Sequence, residues 1–305
     1  MKYVETDILI LGSGGAGLFA AHHAADQDSD INIIVAAKGL VGKSGCTRMV
    51  QGGYNVVLHP DDSIEKHFKD TIKGGGGINN QEMAWVLVND APAIIMELET
   101  KIVFFVDRNE YGTIHQKPFA GQSFYRTVHR GDLTGIEIIS RLFDQLYSKP
   151  NITTWSEVRA LDLLIDHDKG RVAGCLMLDI PSGELIVVCC KSVIVGTGGA
   201  ATMYKIATPS LEKSGDGMAM CYRAGTEFLD MEMMQFHPTG LLVENSRLNG
   251  GVLEDGLRGA GGHLKNALGE RFMKYYDAER MERSTRDRVS RAAYMEIMAG
   301  RGTKL

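Results

Sequence analysis

Apolar positions along this chain follow two periods. Asp7-Ile8-Leu9-Ile10-Leu11 is a strand-length apolar run, followed by Gly12-Ser13-Gly14-Gly15-Ala16-Gly17, a helical stretch from Leu18 to Ala25, and a second apolar run over 31–36. The order predicts a βαβ unit with a glycine-rich first turn. Residues 82–99 and 132–148 repeat apolar side chains at helical spacing, so their Met, Leu and Ile stripes predict core faces rather than a ligand site. Runs 161–166, 171–179 and 185–192 read as a β-meander. It leads into Val193-Ile194-Val195 and the turn Gly196-Thr197-Gly198-Gly199, which would return the chain to the first sheet and lay a second backbone turn against a cofactor. Together these elements predict an α/β fold.

Length and composition narrow the function classes. The 305 residues allow one large or two ordinary domains, and 44% hydrophobic residues suffice for a packed core. A net charge of -5 and a pI near 6.0 give no electrostatic case for nucleic acid or anionic lipid. The longest apolar runs, Leu185 to Cys190 and Val193 to Val195, are strand-sized and far short of a bilayer span. With no signal-peptide layout at the N-terminus, the expected location is cytoplasmic or facing the cytoplasm. None of the 5 cysteines stands at Cys-x-x-Cys spacing, so no iron-sulfur or zinc site is expected within the chain. Cys189 and Cys190 are expected to behave as buried small hydrophobes on opposite faces of a strand.

The 36 glycines point to close backbone approaches to a ligand. Gly12, Gly14 and Gly17 form a GxGxxG turn between strand and helix, which predicts that the backbone from Gly12 through Gly15, Ala16 and Gly17 approaches a dinucleotide pyrophosphate. Ala37-Lys38 stands where an acidic residue would grip an NAD ribose, which disfavours NAD and leaves FAD open. The loop from Lys38 to Tyr54 is too polar for core and is expected to wrap the ligand. Its candidate contacts are Lys38, Ser44, Thr47, Gln51, Gly52 and Gly53, with Thr197, Gly198, Gly199 and Asp216 further along. Asp216, between two glycines, reads equally as a turn residue. The 230–291 stretch sets His237 beside Pro-Thr-Gly, then a glycine-flanked Arg258, then the Arg286-Asp287 pair. Fixed cationic donors on loops suit a small dicarboxylate.

GSGGAG, Gln51-Gly52-Gly53, Phe119-Ala120-Gly121-Gln122-Ser123, Thr197-Gly198-Gly199, Gly215-Asp216-Gly217 and Met-Gln-Phe-His-Pro-Thr-Gly (234–240) occur in this order. The chain thereby resembles the flavoprotein subunit family of succinate dehydrogenase and fumarate reductase, with L-aspartate oxidase a close relative; the 234–240 motif looks more like the former. The resemblance implies a Rossmann-like FAD-binding domain over 1–230 and, over 231–305, the start of an inserted α+β capping domain, incomplete here. It implies hydride exchange between FAD and a C4 dicarboxylate, with an L-aspartate oxidase-like flavoenzyme or a non-catalytic FAD-binding fragment as the alternatives. The partners it implies are an iron-sulfur subunit plus, indirectly, a membrane-anchor subunit, with the chain peripheral on the inner face of the cell membrane.

By the same resemblance His237 would bind a substrate carboxylate, Arg286 would deliver a proton and Asp255 would relay it, while Phe119, Gln122 and Glu254 would line the substrate pocket. Read without it, His237 braces the Pro238 turn and Asp255 pairs with Arg258. Three departures stand out. Gly45-Cys46 replaces the His that bonds FAD in some family members, so a non-covalent flavin is expected, with an unmodified Cys46 favoured over a thioether. Glu254-Asp255 replaces the family's Thr-Glu. The sequence reaches Leu305 within the capping domain, so a fragment, a split subunit or a degenerate copy is expected.

Overall fold

The computed structural model describes residues 1–303 apart from Ala120, Arg247 and Glu254. In chain order it contains β1 (Lys2–Leu11), α1 (Gly15–Gln27), β2 (Ile33–Ala36), β3 (Tyr54–Asn55), α2 (Ile64–Gly74), α3 (Gln81–Thr100), β4 (Gln116–Lys117) and β5 (Thr127–Val128). There follow α4 (Thr134–Leu146), β6 (Ile152–Trp155), β7 (Val158–Asp166), β8 (Arg171–Asp179), β9 (Leu185–Val195), α5 (Asp216–Arg223), α6 (Asp255–Gly259) and α7 (Arg286–Glu296). They form two compact units: Met1–Val50, Ile102–Phe104 and Thr134–Met233 make the first, and Gln51–Lys101, Phe105–Leu133 and Met234–Leu305 the second. Residues 51–133, apart from Ile102–Phe104, group with the residues after Met233. The segment's own elements satisfy one another, since α2 packs on α3 and β5 pairs with both β3 and β4.

The first unit is built on a 6-stranded sheet in the order β6-β2-β1-β9-β8-β7. β1 runs parallel to β2 and to β9, whereas β7, β8 and β9 are antiparallel, so the α/β expectation holds with a mixed sheet. Leu9, Ile10 and Leu11 are buried on both faces of β1, which is why this strand reads as a continuous apolar run rather than an alternation. The third meander run and Val193–Val195 prove to be one 11-residue strand, β9. Its first part pairs with β8, and its whole length follows β1, from Lys2↔Ile186 to Leu11↔Val195. That pairing delivers Gly196 and Thr197 beside the glycine-rich turn after β1. The core includes Leu9, Leu11, Ile34, Met177 and Val188, with Met220 of α5. Cys175 is buried, and burial pushes its thiol up to about 12. Cys189 is exposed, contrary to expectation, because the face of β9 on which it stands is not covered.

The second unit carries a 3-stranded sheet, β3-β5-β4, and the α2–α3 pair. Ser63 and Asn80 cap α2 and α3 by accepting from the backbone N–H of Lys66 and Met83. Arg126 is wholly buried next to β5 and forks onto Asp62 through Nε (2.6 Å) and Nη2 (2.7 Å), while Nη1 reaches Asp70. Asp70 also accepts from Ser123 N and Oγ, so this ion cluster fixes the loop ahead of β5. Arg126→Lys keeps the charge but not the fork, and is expected to cost about 2 kcal/mol. An unchanged thermal unfolding midpoint would contradict that reading.

Candidate functional site

In the first unit a cavity of about 460 Å³ opens where β1 and β9 end together. Its floor is the turn from Gly12 to Ala16. Gly12 has φ +104, and a Cβ there would run into the Gly196 carbonyl oxygen, so only glycine fits. Gly17 does not line the cavity; a Cβ on it would strike the Gly12 carbonyl oxygen, so its role is to let α1 pack closely against the preceding turn. Gly14 caps α1 without a side-chain acceptor, which leaves first-turn N–H groups available to an anion. Thr47 accepts from Gly15 N at 2.9 Å and holds the 38–47 loop over the helix start.

The loop supplies Lys38, Ser44, Cys46 and Thr47 to the cavity wall, and Thr197, Gly198 and Asp216 close the opposite side. Lys38 Nζ donates to Asp216 Oδ2 at 2.9 Å and to Ser214, and Arg159 Nε lies 3.3 Å from the same carboxylate oxygen. Burial alone would raise the Asp216 carboxyl, but hydrogen bonds from Ser214 and Lys38 outweigh it and hold the group below its ordinary value. Arg159 and Glu212 are wall residues that sequence reasoning missed. Glu212 accepts from Gly45 N at 2.6 Å, a contact across 167 positions that no local pattern announces. Gly199 lies outside the wall, against the Lys213 side chain. Gln51, Gly52 and Gly53 belong to the second unit; a Cβ on Gly53 would run into the Val128 carbonyl oxygen, and one on Gly52 would lie 3.1 Å from the Phe119 ring.

Charge collects in the second unit around Asp255, at the start of α6. Its carboxylate accepts from Arg286 Nε at 2.7 Å and from Arg258 Nη2, and His237 Nε2 lies 3.3 Å from Oδ1. Burial works to raise this carboxyl. Hydrogen bonds from His237, Arg286 and Arg258 more than reverse the effect and hold it well below the usual carboxylate range, so Asp255 is ionised at neutral pH. His237 Nδ1 faces the Thr239 carbonyl oxygen at 2.8 Å, which fixes the ring so that Nε2 points at Asp255. Arg258 is buried and donates to the Glu282 carbonyl oxygen at 2.9 Å, yet its Nε has no hydrogen-bond partner. Glu282 is itself held by Arg271, whose hydrogen bonds pull its carboxyl down to about 2.

Arg286 opens α7 and donates from Nη1 to Gln235 Oε1 at 3.1 Å, a partner that lies inside the 234–240 motif but was not singled out. The Phe119–Gln122 loop belongs to the same neighbourhood, since a Cβ on Gly121 would lie 3.4 Å from Thr285 Cγ2, one residue before Arg286. Gln122 Nε2 donates to Asn55 Oδ1 and Thr127 Oγ1, while its Oε1 is buried without a partner. Glu254 lies outside the described residues, and Arg291 is exposed on α7. Among the described residues no cluster of His, Cys, Asp and Glu has metal-binding geometry.

Comparison with known proteins decides the family. The family model of the FAD binding domain matches residues 7–304. The chain belongs to this family, and its cofactor is FAD. It is 47% identical over 299 residues to an uncharacterised FAD-dependent oxidoreductase of Methanocaldococcus jannaschii, covering 98% of this chain and 53% of that protein. It is 42% identical over 303 residues to a fumarate reductase (CoM/CoB) subunit of Methanothermobacter marburgensis, covering 98% and 54%. Among solved structures it superposes on a quinol fumarate reductase chain of E. coli with TM-score 0.93 at 31% identity, covering 100% of this chain and 52% of that one. The chain thus spans about half the length of the curated relatives it matches. The residues present fit FAD: Gly12 leaves room where a Cβ would collide, the α1 N-terminus offers uncapped N–H groups to the pyrophosphate, and Lys38 adds a cation beside them.

Proposed function

We propose that this chain is the FAD-carrying part of a flavoprotein subunit of succinate/fumarate oxidoreductase, acting on a C4 dicarboxylate. The observation that carries the reading is the ionised Asp255 hydrogen-bonded to Arg286 and Arg258 and faced by His237, beside the loop of Phe119 and Gln122. Similarity to the fumarate reductase subunits of Methanothermobacter marburgensis and Wolinella succinogenes supports it. Bound FAD supplies the two-electron redox chemistry.

The protein's own residues bind and protonate. His237 Nε2 exchanges Asp255 for a substrate carboxylate and stabilises the charge that builds there. Arg286, with Nε and Nη1 already engaged, presents the remaining edge of its guanidinium to the substrate carbon. An Arg is a poor acid at rest, but a carbon that has gained charge is a strong enough base to take its proton. Asp255 and Arg258 form the hydrogen-bonded path by which Arg286 regains a proton. Phe119 and Gln122 shape the pocket wall and exclude water. Among the described residues no helix is long and apolar enough to cross a membrane. Docking on an iron-sulfur subunit, which joins a membrane anchor at the inner face, is the arrangement we propose for electron transfer.

The reading is tested by titrating the FAD-loaded chain with malonate, an unreactive dicarboxylate, while following the flavin spectrum. A saturable perturbation that His237→Ala weakens about tenfold or more is expected. No perturbation, or one that His237→Ala leaves unchanged, would remove the dicarboxylate assignment.

A further inference from the structure

β4 and β5 form a hairpin whose loop, 118–126, carries Phe119 and Gln122. Its ladder pairs Lys117 with Thr127 and Gln116 with Val128, which places His115 and His129 opposite each other on the next rung. Their rings meet, with His115 Nδ1 and His129 Nε2 2.7 Å apart. His115 is exposed and His129 is buried. Behind them Asp107 joins both by its backbone, donating to the His129 carbonyl oxygen and accepting from His115 N. Its carboxylate accepts from Gly131 N and Arg130 Nη1, and lies 3.2 Å from His129 Nδ1 without meeting hydrogen-bond geometry.

Two ring nitrogens at this distance must share one hydrogen. That holds when the pair is neutral and when it carries one extra proton. With a second proton both nitrogens carry hydrogen, and two like charges stand directly opposite across a hairpin, which drives the strands apart. We infer that the His115–His129 pair, backed by Asp107, is a latch that positions the 118–126 loop by counting protons: one shared hydrogen closes the hairpin root, and a second proton opens it. The importance of that loop to catalysis rests on the dicarboxylate reading above; the latch itself does not.

The charged groups facing the pair are Lys117 on β4, Asp107 behind it and Arg130 after β5; Arg108, next to Asp107, is held by Glu99. Burial first, then the Lys117 charge, holds His129 below the ordinary imidazole value of 6.5, although Asp107 works to raise it. The closed hairpin therefore binds the second proton less readily than the open one. Closure is fully present above the ordinary imidazole range and is lost as pH falls below it.

Hydrogen exchange of the 116–126 backbone amides in the FAD-loaded chain, corrected for the intrinsic effect of pH, reads the latch directly. Protection is expected to fall about tenfold between about pH 7.5 and about pH 5 in the native chain, and less than about twofold in His129→Gln, which lacks the buried imidazole that takes the second proton. In Asp107→Asn, which lacks the counter-charge, the closed pair resists the second proton more strongly, so the fall should be larger than in the native chain and extend to lower pH. Corrected exchange that is flat with pH in the native chain, or a fall in Asp107→Asn smaller than the native one, would overturn the proposal. Because no dicarboxylate is present, a chain that fails to bind malonate can still show the latch, and a pH-flat hairpin in a chain that binds malonate would remove the latch alone.

Discussion

Arg286→Lys is expected to slow fumarate-driven reoxidation of the reduced flavin by about a thousandfold or more, the range set by losing a positioned proton donor. The reason is geometric. The guanidinium reaches Asp255 through Nε and Gln235 through Nη1 at the same time, which leaves its remaining edge aimed by two fixed partners. An ammonium is a point donor on a shorter arm; held by Asp255 it cannot also present a proton in a fixed direction. FAD content should be unchanged, because Arg286 lies outside the wall of the cofactor cavity. A rate within tenfold of the native chain, with FAD still bound, would remove Arg286 from proton delivery.

Gly12→Ala is expected to lower FAD occupancy about a hundredfold, from strain and displacement worth about 3 kcal/mol. Two penalties coincide at this position. The backbone stands at φ +104, and the new Cβ would enter the Gly196 carbonyl oxygen that β9 places there. Relief requires the ends of β1 and β9 to separate, which deforms the floor on which the pyrophosphate rests. Gly170→Ala isolates the first penalty: Gly170 has φ +60 and a Cβ placed on it would meet nothing within 4 Å, so about 1 kcal/mol and no loss of FAD are expected. Flavin absorbance per protein after desalting distinguishes the two. Equal FAD loss in both variants would show that backbone strain, not the close approach of the two strand ends, sets the effect.

The parts of the fold that were legible in the sequence are those in which local pattern and tertiary environment agree. β1, α1 and β2 were readable because a strand buried on both faces is apolar throughout and the turn after it admits only glycine at Gly12. β6 was not, because Ile152-Thr153-Thr154-Trp155 is a short edge strand without a clear apolar face. The division of β9 into two runs followed Lys191-Ser192, polar residues that interrupt the apolar pattern, while the register with β1 is the same at Thr6↔Cys190 and Ile8↔Ser192.

For the site, the family resemblance pointed to His237, Asp255 and Arg286, and the structure brings His237 and Arg286 onto the Asp255 carboxylate. What spacing did not show is the use of side-chain charge. Lys38 and Asp216 meet across 178 positions, and Glu212 reaches the Gly45 backbone from another loop. Such pairs depend on where β9 and α5 come to rest, which no local window contains. The close approaches of Gly52 to Phe119 and of Gly53 to Val128 are likewise invisible to a local window.

The most direct test of the account is an anaerobic spectrum of the desalted, FAD-loaded chain, reduced with a stoichiometric amount of dithionite and then mixed with fumarate. The account predicts that the oxidised flavin band returns in proportion to the fumarate added and that Arg286→Lys slows this return. A flavin that remains bound and bleached in the presence of fumarate would contradict it.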